Sequence, residues 1–317
     1  MAAAAETLSQ AAAVRFERIL VATDFSESSV RSIPYVLELA KQYGSEVFLA
    51  HAMPLVREPI PLERLPEDLD PVRAQAERRM KDLIQTCDVS KFAYHAIIEN
   101  GPPAKVITWM AERENVDLLV LGTHGRSGIG KLTLGSVAEE VLRLVPVPVL
   151  TIGQHVPPTI TNAPRFERIL FATDFGAGAA KALPFALALV EKYGARLILL
   201  HIVPPITIVD DSPSGFGGPV YLGENGKDWV ARKKQESVRK LLDIMPAEAK
   251  LPHAPEYLVE TDSAAEGILI AASTNRVDLI VMGVHNVASP RAAAHAAWSV
   301  IHQVISKARC PVLTVRG

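Results

Sequence analysis

Short apolar runs alternate with longer amphipathic stretches along the chain, and the alternation predicts its elements. "RILVAT" (18–23) is β-branched and reads as a buried strand. In "SESSVRSIPYVLELAKQYG" (26–44), Val30, Ile33, Leu37 and Ala40 recur at helical spacing, with Ser26 or Ser28 as a cap and Gly44 as a stop. A second strand follows in "EVFLAHAMP" (46–54), then an amphipathic helix over 72–87, a strand in "FAYHAIIE" (92–99) and a proline-started helix in "PPAKVITWMAEREN" (102–115). "VDLLVLG" (116–122) is another buried strand, "SVAEEVLRLV" (136–145) a helix and "PVLTI" (148–152) the closing strand. Strand and helix alternate throughout, which predicts a doubly wound parallel α/β sheet with right-handed crossovers and helices on both faces.

The pattern is then written a second time. "RFERILVATDF" (15–25) returns as "RFERILFATDF" (165–175), "LELAKQYGSEVFLAHAMP" pairs with "LALVEKYGARLILLHIVP", and "NVDLLVLG" pairs with "RVDLIVMG". Two tandem domains of one fold are therefore expected, at 15–153 and 165–317. Between them lies a proline-rich linker at 154–164, and before them a loose alanine-rich leader at 1–14.

The 317 residues carry a formal charge of −2 with both signs well mixed, which leaves no basic field for nucleic acid or an anionic membrane. Cys87 and Cys310 stand far apart without metal-ligand spacing, so neither a disulfide framework nor structural zinc is expected and a reducing cytoplasm fits. No run reaches about 18 uninterrupted apolar residues, and the start lacks a basic, then apolar, export signal.

In parallel sheets of this kind a ligand binds outside the carboxyl ends of the strands, where the strand order reverses. Those ends carry Asp24, Ala52 and Gly122. Beyond Gly122, Gly125 to Lys131 spells most of a Walker A loop, but Leu132 stands where that motif needs a hydroxyl for its magnesium ion. A different anion cradle fits better: glycines let backbone amides approach a phosphate, a helix beginning at Ser136 adds unsatisfied amides and its positive dipole end, and Arg126 and Lys131 add charge.

Gly122-x-x-Gly125, nine residues and then Gly135-Ser136, together with "ATDFS" and "LAH", resembles the nucleotide-binding signature of the universal stress protein family, in its ATP-binding branch. The resemblance covers nearly the whole chain as a tandem pair and implies a five-stranded parallel sheet in each half. It implies that Asp24 lies beside the nucleoside, that Ala52 offers backbone groups to adenine, and that Gly122, Gly125, Gly135 and Ser136 surround ribose and phosphates. Ala22, Thr23, Leu121, His124, Arg126 and Val137 complete the implied site, with ATP as ligand and a magnesium ion as its companion. Ala22 and Ala52 replace residues that other members carry as proline and valine, which is harmless where contacts are made by the backbone. An internal pseudo-dimer of the two halves is also implied, with "PVLTI" and "PVLTV" available as pairing edges and a homodimer open beyond it.

Several residues have plainer readings. Ser136 and Glu139 form S-x-x-E, a capping box, which is compatible with phosphate contact. Asp24 recurs as Asp174 and so shares in turn chemistry. His51, His124, His201 and His285 read as packing or hydrogen-bonding residues, with no metal pattern around them. In the second half Asn286 replaces Gly125, Trp298-Ser299 replaces Gly135-Ser136 and His302 replaces Glu139. Tryptophan is expected to fill the phosphate space, so nucleotide is expected in the first half alone. No nucleophile with a base stands out, which favours a stress-response sensor or regulator with an as yet unassigned protein partner. A slow ATP hydrolase and a nucleotide-independent, chaperone-like module are the rivals.

Overall fold

The computed structural model describes residues 2–53, 69–123, 134–158, 163–205, 224–284 and 291–317. In chain order the elements are α1 (Ala2–Ala13), β1 (Arg18–Ala22), α2 (Glu27–Val30), α3 (Ile33–Tyr43), β2 (Glu46–Met53), α4 (Leu69–Thr86), β3 (Tyr94–Asn100), α5 (Pro103–Arg113), β4 (Leu118–Gly122), α6 (Ser136–Leu144) and β5 (Val149–Ile152). The second copy continues with β6 (Arg168–Ala172), α7 (Ala177–Tyr193), β7 (Arg196–Val203), α8 (Glu224–Ile244), β8 (Glu256–Thr261), α9 (Ala264–Thr274), β9 (Leu279–Val284), α10 (Arg291–Lys307) and β10 (Val312–Arg316). Among the described residues no helix is long and apolar enough to cross a membrane.

The chain divides into two compact units. One comprises Val14–Phe166 with Ile305–Arg316, and the other Met1–Ala13, Glu167–Val304 and Gly317. In the first unit the strand order is β3-β2-β1-β4-β5, all parallel, so the order reverses between β1 and β4. The closing strand of the second copy, β10, also belongs to this unit and pairs antiparallel with β5, Leu313 opposite Leu150. This is the edge pairing expected of "PVLTI" and "PVLTV", and it covers the strand edge that β5 would otherwise leave open. The second unit repeats the order as β9-β6-β7-β8. Ile19, Leu20 and Val21 in one unit and Ile169, Leu170 and Phe171 in the other are fully or almost fully buried, as strands covered on both faces require.

Two expectations are corrected. The leader is helical: α1 packs against α7 in the second unit, and alanine, which gives up no side-chain entropy, is the strongest helix former available to such a segment. The stretch 26–44 is broken into α2 and α3, while its counterpart α7 runs unbroken through Pro184. Proline stands at the same place in both copies, so it is not the cause alone. The difference lies in the serines. Ser29 Oγ donates to Ser26 O at 3.0 Å and Ser32 Oγ to Ser29 O at 2.6 Å, competing with the helical ladder where α7 has alanines. Ser26 caps α2 by accepting from Ser29 N–H, and Gly44 ends α3 at φ 72°, as read from the sequence.

The "VDL" aspartates act at the opposite edge of the sheet from the strands' carboxyl ends. Asp117 accepts from Glu17 N–H at 2.8 Å and Arg18 N–H at 3.2 Å, and Asp278 accepts from Glu167 and Arg168 N–H at 3.0 and 2.9 Å. Burial pushes the Asp117 carboxyl up to about 6, against the pull of those amides. A folded-state value above the ordinary 3.8 means that the folded protein holds this proton more tightly. The stability it contributes is full below pH 3.8 and is lost as pH rises through about 6. In Asp117→Asn that slope should vanish, so the fall in thermal midpoint between pH 4 and pH 7 should be smaller than in the parent. An unchanged fall would clear Asp117 as its source.

Candidate functional site

At the carboxyl ends of β1, β2 and β4, where the strand order reverses, the first unit holds a cavity of about 460 Å³. Its size falls within the range of about 300–1,000 Å³ usual for small-molecule sites. Ala22, Ala52, Leu121 and Ile107 give it an apolar floor and wall, and the start of α6 gives it polar backbone.

The turn after β1 is rigidly built. Asp24 Oδ1 accepts from Ser26 N–H at 2.9 Å, and Thr23 Oγ1 accepts from Phe25 N–H at 2.9 Å. These bonds hold Phe25 in the left-handed region at φ 60°. His51 Nδ1–H donates to Thr23 O at 2.7 Å, and its ring lies 4.4 Å from that of Phe25. The second copy repeats every part: Asp174 to Gly176 at 2.8 Å, Thr173 to Phe175 at 2.9 Å, Phe175 at φ 64°, and His201 to Thr173 O at 2.8 Å. Asp24 and Asp174 are thus turn residues, and His51, buried, and His201, half-buried, are hydrogen-bonding residues, as their recurrence suggested.

At the start of α6 the capping box does not form. Gly135 is the N-cap, with extended backbone, because its N–H is tied to Thr123 O at 2.8 Å. Ser136 therefore moves to the first helical position, and Glu139 turns its carboxylate to Arg143 at 3.0 Å. The helical ladder opens with Glu139 N–H to Gly135 O, so the amides of Ser136, Val137 and Ala138 precede it, and all three residues line the cavity. These amides carry the partial positive charge of the helix end.

Of the residues read from the sequence, Ala22, Thr23, Asp24, Ala52, Leu121, Gly122, Gly135, Ser136 and Val137 line this cavity. His124, Gly125 and Arg126, with Lys131, lie outside the described residues, as do His285 and Asn286. Sequence reasoning missed the wall contributed by α4: Val72, Gln75, Ala76 and Arg79. Their spacing is that of one helical face, and its apolar half continues past the core onto the cavity.

In the second copy the residue at the place of Ala52 is larger. Ile202 takes the place of Ala52 and packs so tightly on α9 that a β-carbon on Gly267 would come within 2.6 Å of its Cδ1. Trp298 is half-buried inside α10, which starts at Arg291, about two turns ahead of Ser299. The amide of Ser299 is then an interior helical donor rather than an open one. The second unit has a smaller cavity of about 230 Å³, bounded by the turn after β6 at Thr173 and Phe175 and by α1, α7 and α8.

The architecture defines a tandem of doubly wound α/β domains, the first with an open cavity at its switch point. The chain belongs to the universal stress protein family, whose model matches residues 15–153 and again 165–316. A universal stress protein of Methanocaldococcus jannaschii is 30% identical over 142 residues, covering 43% of this chain and 82% of that protein. Universal stress protein E of Escherichia coli K12 is 38% identical over 113 residues, which cover 33% of this chain and 34% of that protein. Among solved structures, a universal stress protein from Archaeoglobus fulgidus shares the fold, with a TM-score of 0.66 at 22% identity over 96% of this chain and 99% of that one.

Proposed function

We propose that the first repeat binds an adenine nucleotide, ATP, in the cavity at the ends of β1, β2 and β4, and that the protein works as a nucleotide-responsive regulator in the stress response. The observation that carries this reading is the pairing of two chemistries in one cavity: an apolar pocket beside Ala22, Ala52 and Leu121, and three leading amides of α6. A flat, apolar base suits the first and a phosphate chain the second.

Regulation is favoured over turnover by the partners of the polar groups. Thr23 Oγ1 and Ser29 Oγ bond each other at 2.9 Å, and the His51 Nδ1 proton is committed to a backbone carbonyl. No described side chain in the cavity pairs a nucleophile with a base. Asp24 is the one described carboxylate there, and its Oδ1 is engaged by the turn, so a magnesium ion would be carried by the phosphates rather than held by the protein. Release of phosphate that persists in Gly135→Trp, where the indole occupies the N-cap corner, would come from a contaminant.

The test is the ligand itself. Mass spectrometry of small molecules freed from denatured, freshly purified protein should find an adenine nucleotide. ATP at about 100 times its dissociation constant should stabilise the binding unit by about 2.7 kcal/mol. Protein that carries no adenine compound and melts at the same temperature with and without ATP would end this reading and leave the interaction module in its place.

A further inference from the structure

The cavity wall made by α4 carries a cation that a carboxylate pairs with in the second copy but not, among the described residues, in the first. Arg79 places its guanidinium 5.5 Å from the centroid of the Phe25 ring. At the corresponding place in the second unit, Lys240 lies 5.7 Å from the Phe175 ring. The two cation–ring contacts are built on the same turn, but their surroundings differ one helical turn earlier. Glu236 precedes Lys240 by four residues and pairs with it at 2.8 Å, and with Lys233 at 2.9 Å. Those two lysines hold the Glu236 carboxyl down to about 2. The equivalent of Glu236 in the first unit is Gln75, and both Gln75 and Arg79 line the cavity. Among the described residues no carboxylate pairs with Arg79. A guanidinium that pairs with no carboxylate among the described residues, in the lining of a cavity that also holds the leading amides of α6, favours a ligand with negative charge.

We propose that Arg79 reads the charge of the ligand, leaving the Phe25 ring for an anionic group of the nucleotide, and that Gln75 is what keeps it available. The inference rests on the nucleotide reading above and adds its regulation: α4 changes its contacts when the site is charged, and so reports which phosphorylation state is bound. The second copy has the same cation locked by its own helix.

Calorimetric titration of the full chain with ATP, AMP, adenosine and inorganic tripolyphosphate tests it. Arg79→Gln should weaken ATP and tripolyphosphate about tenfold and AMP less, and should leave adenosine within about twofold, as expected for loss of one charge-assisted contact. Gln75→Glu, which rebuilds the ion pair of the second copy without touching Arg79, should weaken the ligands in the same order. Thermal midpoints of both variants without ligand should match the parent, which excludes unfolding as the cause. If the parent binds ATP while Arg79→Gln binds it equally well, or loses adenosine as much as ATP, the charge-reading role is overturned and the site reading stands. If the parent binds none of the three adenine compounds, the site reading falls and takes this inference with it.

Discussion

The Ala52→Ile variant should bind adenine nucleotide at least about 100-fold more weakly than the parent, a loss of about 2.7 kcal/mol. The change installs in the first repeat the residue that fills the same place in the second, where Ile202 is pressed against Gly267 of α9. Isoleucine adds three carbons to the wall of a cavity of about 460 Å³, and close-packed protein offers a displaced base nowhere to retreat. Stability should fall only modestly. The position of Gly267 is held by the buried Val106 in the first repeat, so the isoleucine finds no room on α5 and its added carbons turn into the cavity, at a cost of about 1–3 kcal/mol. Titration beside a melt therefore separates a blocked site from a damaged one. The reverse change, Ile202→Ala, should not create a site. The amides that would receive a phosphate there lie inside α10, so opening the adenine end restores only half of the chemistry. Parent-like affinity in Ala52→Ile would mean that the base does not sit against β2.

Much of this was legible in the chain because it is local and repeated. The strands announce themselves as apolar runs, and the duplicated "ATDF" and "VDL" segments mark both ends of β1, one end by the Asp24 turn and the other by the Asp117 clamp. The switch point follows from topology once those strands are recognised. What escaped were features decided by more than one element at once. The register of α6 depends on Thr123 O drawing Gly135 into the N-cap, a bond between loop and strand that "GSVAE" alone cannot show. The break between α2 and α3 depends on serines that back-bond where the other copy has alanine, although both copies contain the same proline. The α4 wall was hidden because a helix read as amphipathic is assumed to point its apolar face at a sheet, whereas Val72, Gln75, Ala76 and Arg79 lie beside the cavity. Ile202 is legible as a difference between "LAHAMP" and "LLHIVP", but what it packs against is not. The exchange is paired across two elements, since Ile202 on β7 packs where α9 carries Gly267 and the first repeat has Ala52 with Val106.

The glycines of the signature carry the last consequence, since the resemblance assigns Gly122 to the ligand while its packing assigns it to the fold. A β-carbon on Gly122 would come within 2.7 Å of Ser28 O, a contact from α2 rather than from the cavity. In the second copy the same strand position is Gly283, and a β-carbon there would fall on the backbone of Gly178 and Ala179 at the start of α7. Gly317 crowds the same spot, its N–H donating to Val284 O at 2.9 Å, so three glycine backbones meet where no side chain fits. Gly283→Ala should therefore cost the second unit at least about 3 kcal/mol, because relief requires α7 to withdraw from β9 and neither element is flexible on its own. Gly122→Ala should cost the first unit about 1–3 kcal/mol, since Ser28 belongs to the short helix α2, which can shift more easily. Calorimetric melts of the full chain distinguish the two: Gly283→Ala should lower the part of the melt that ATP does not shift, and Gly122→Ala the part that it does. If Gly122→Ala weakened ATP binding while its unliganded melt stayed at the parent's temperature, Gly122 would serve the phosphate after all, and only its counterpart Gly283 would be required by packing.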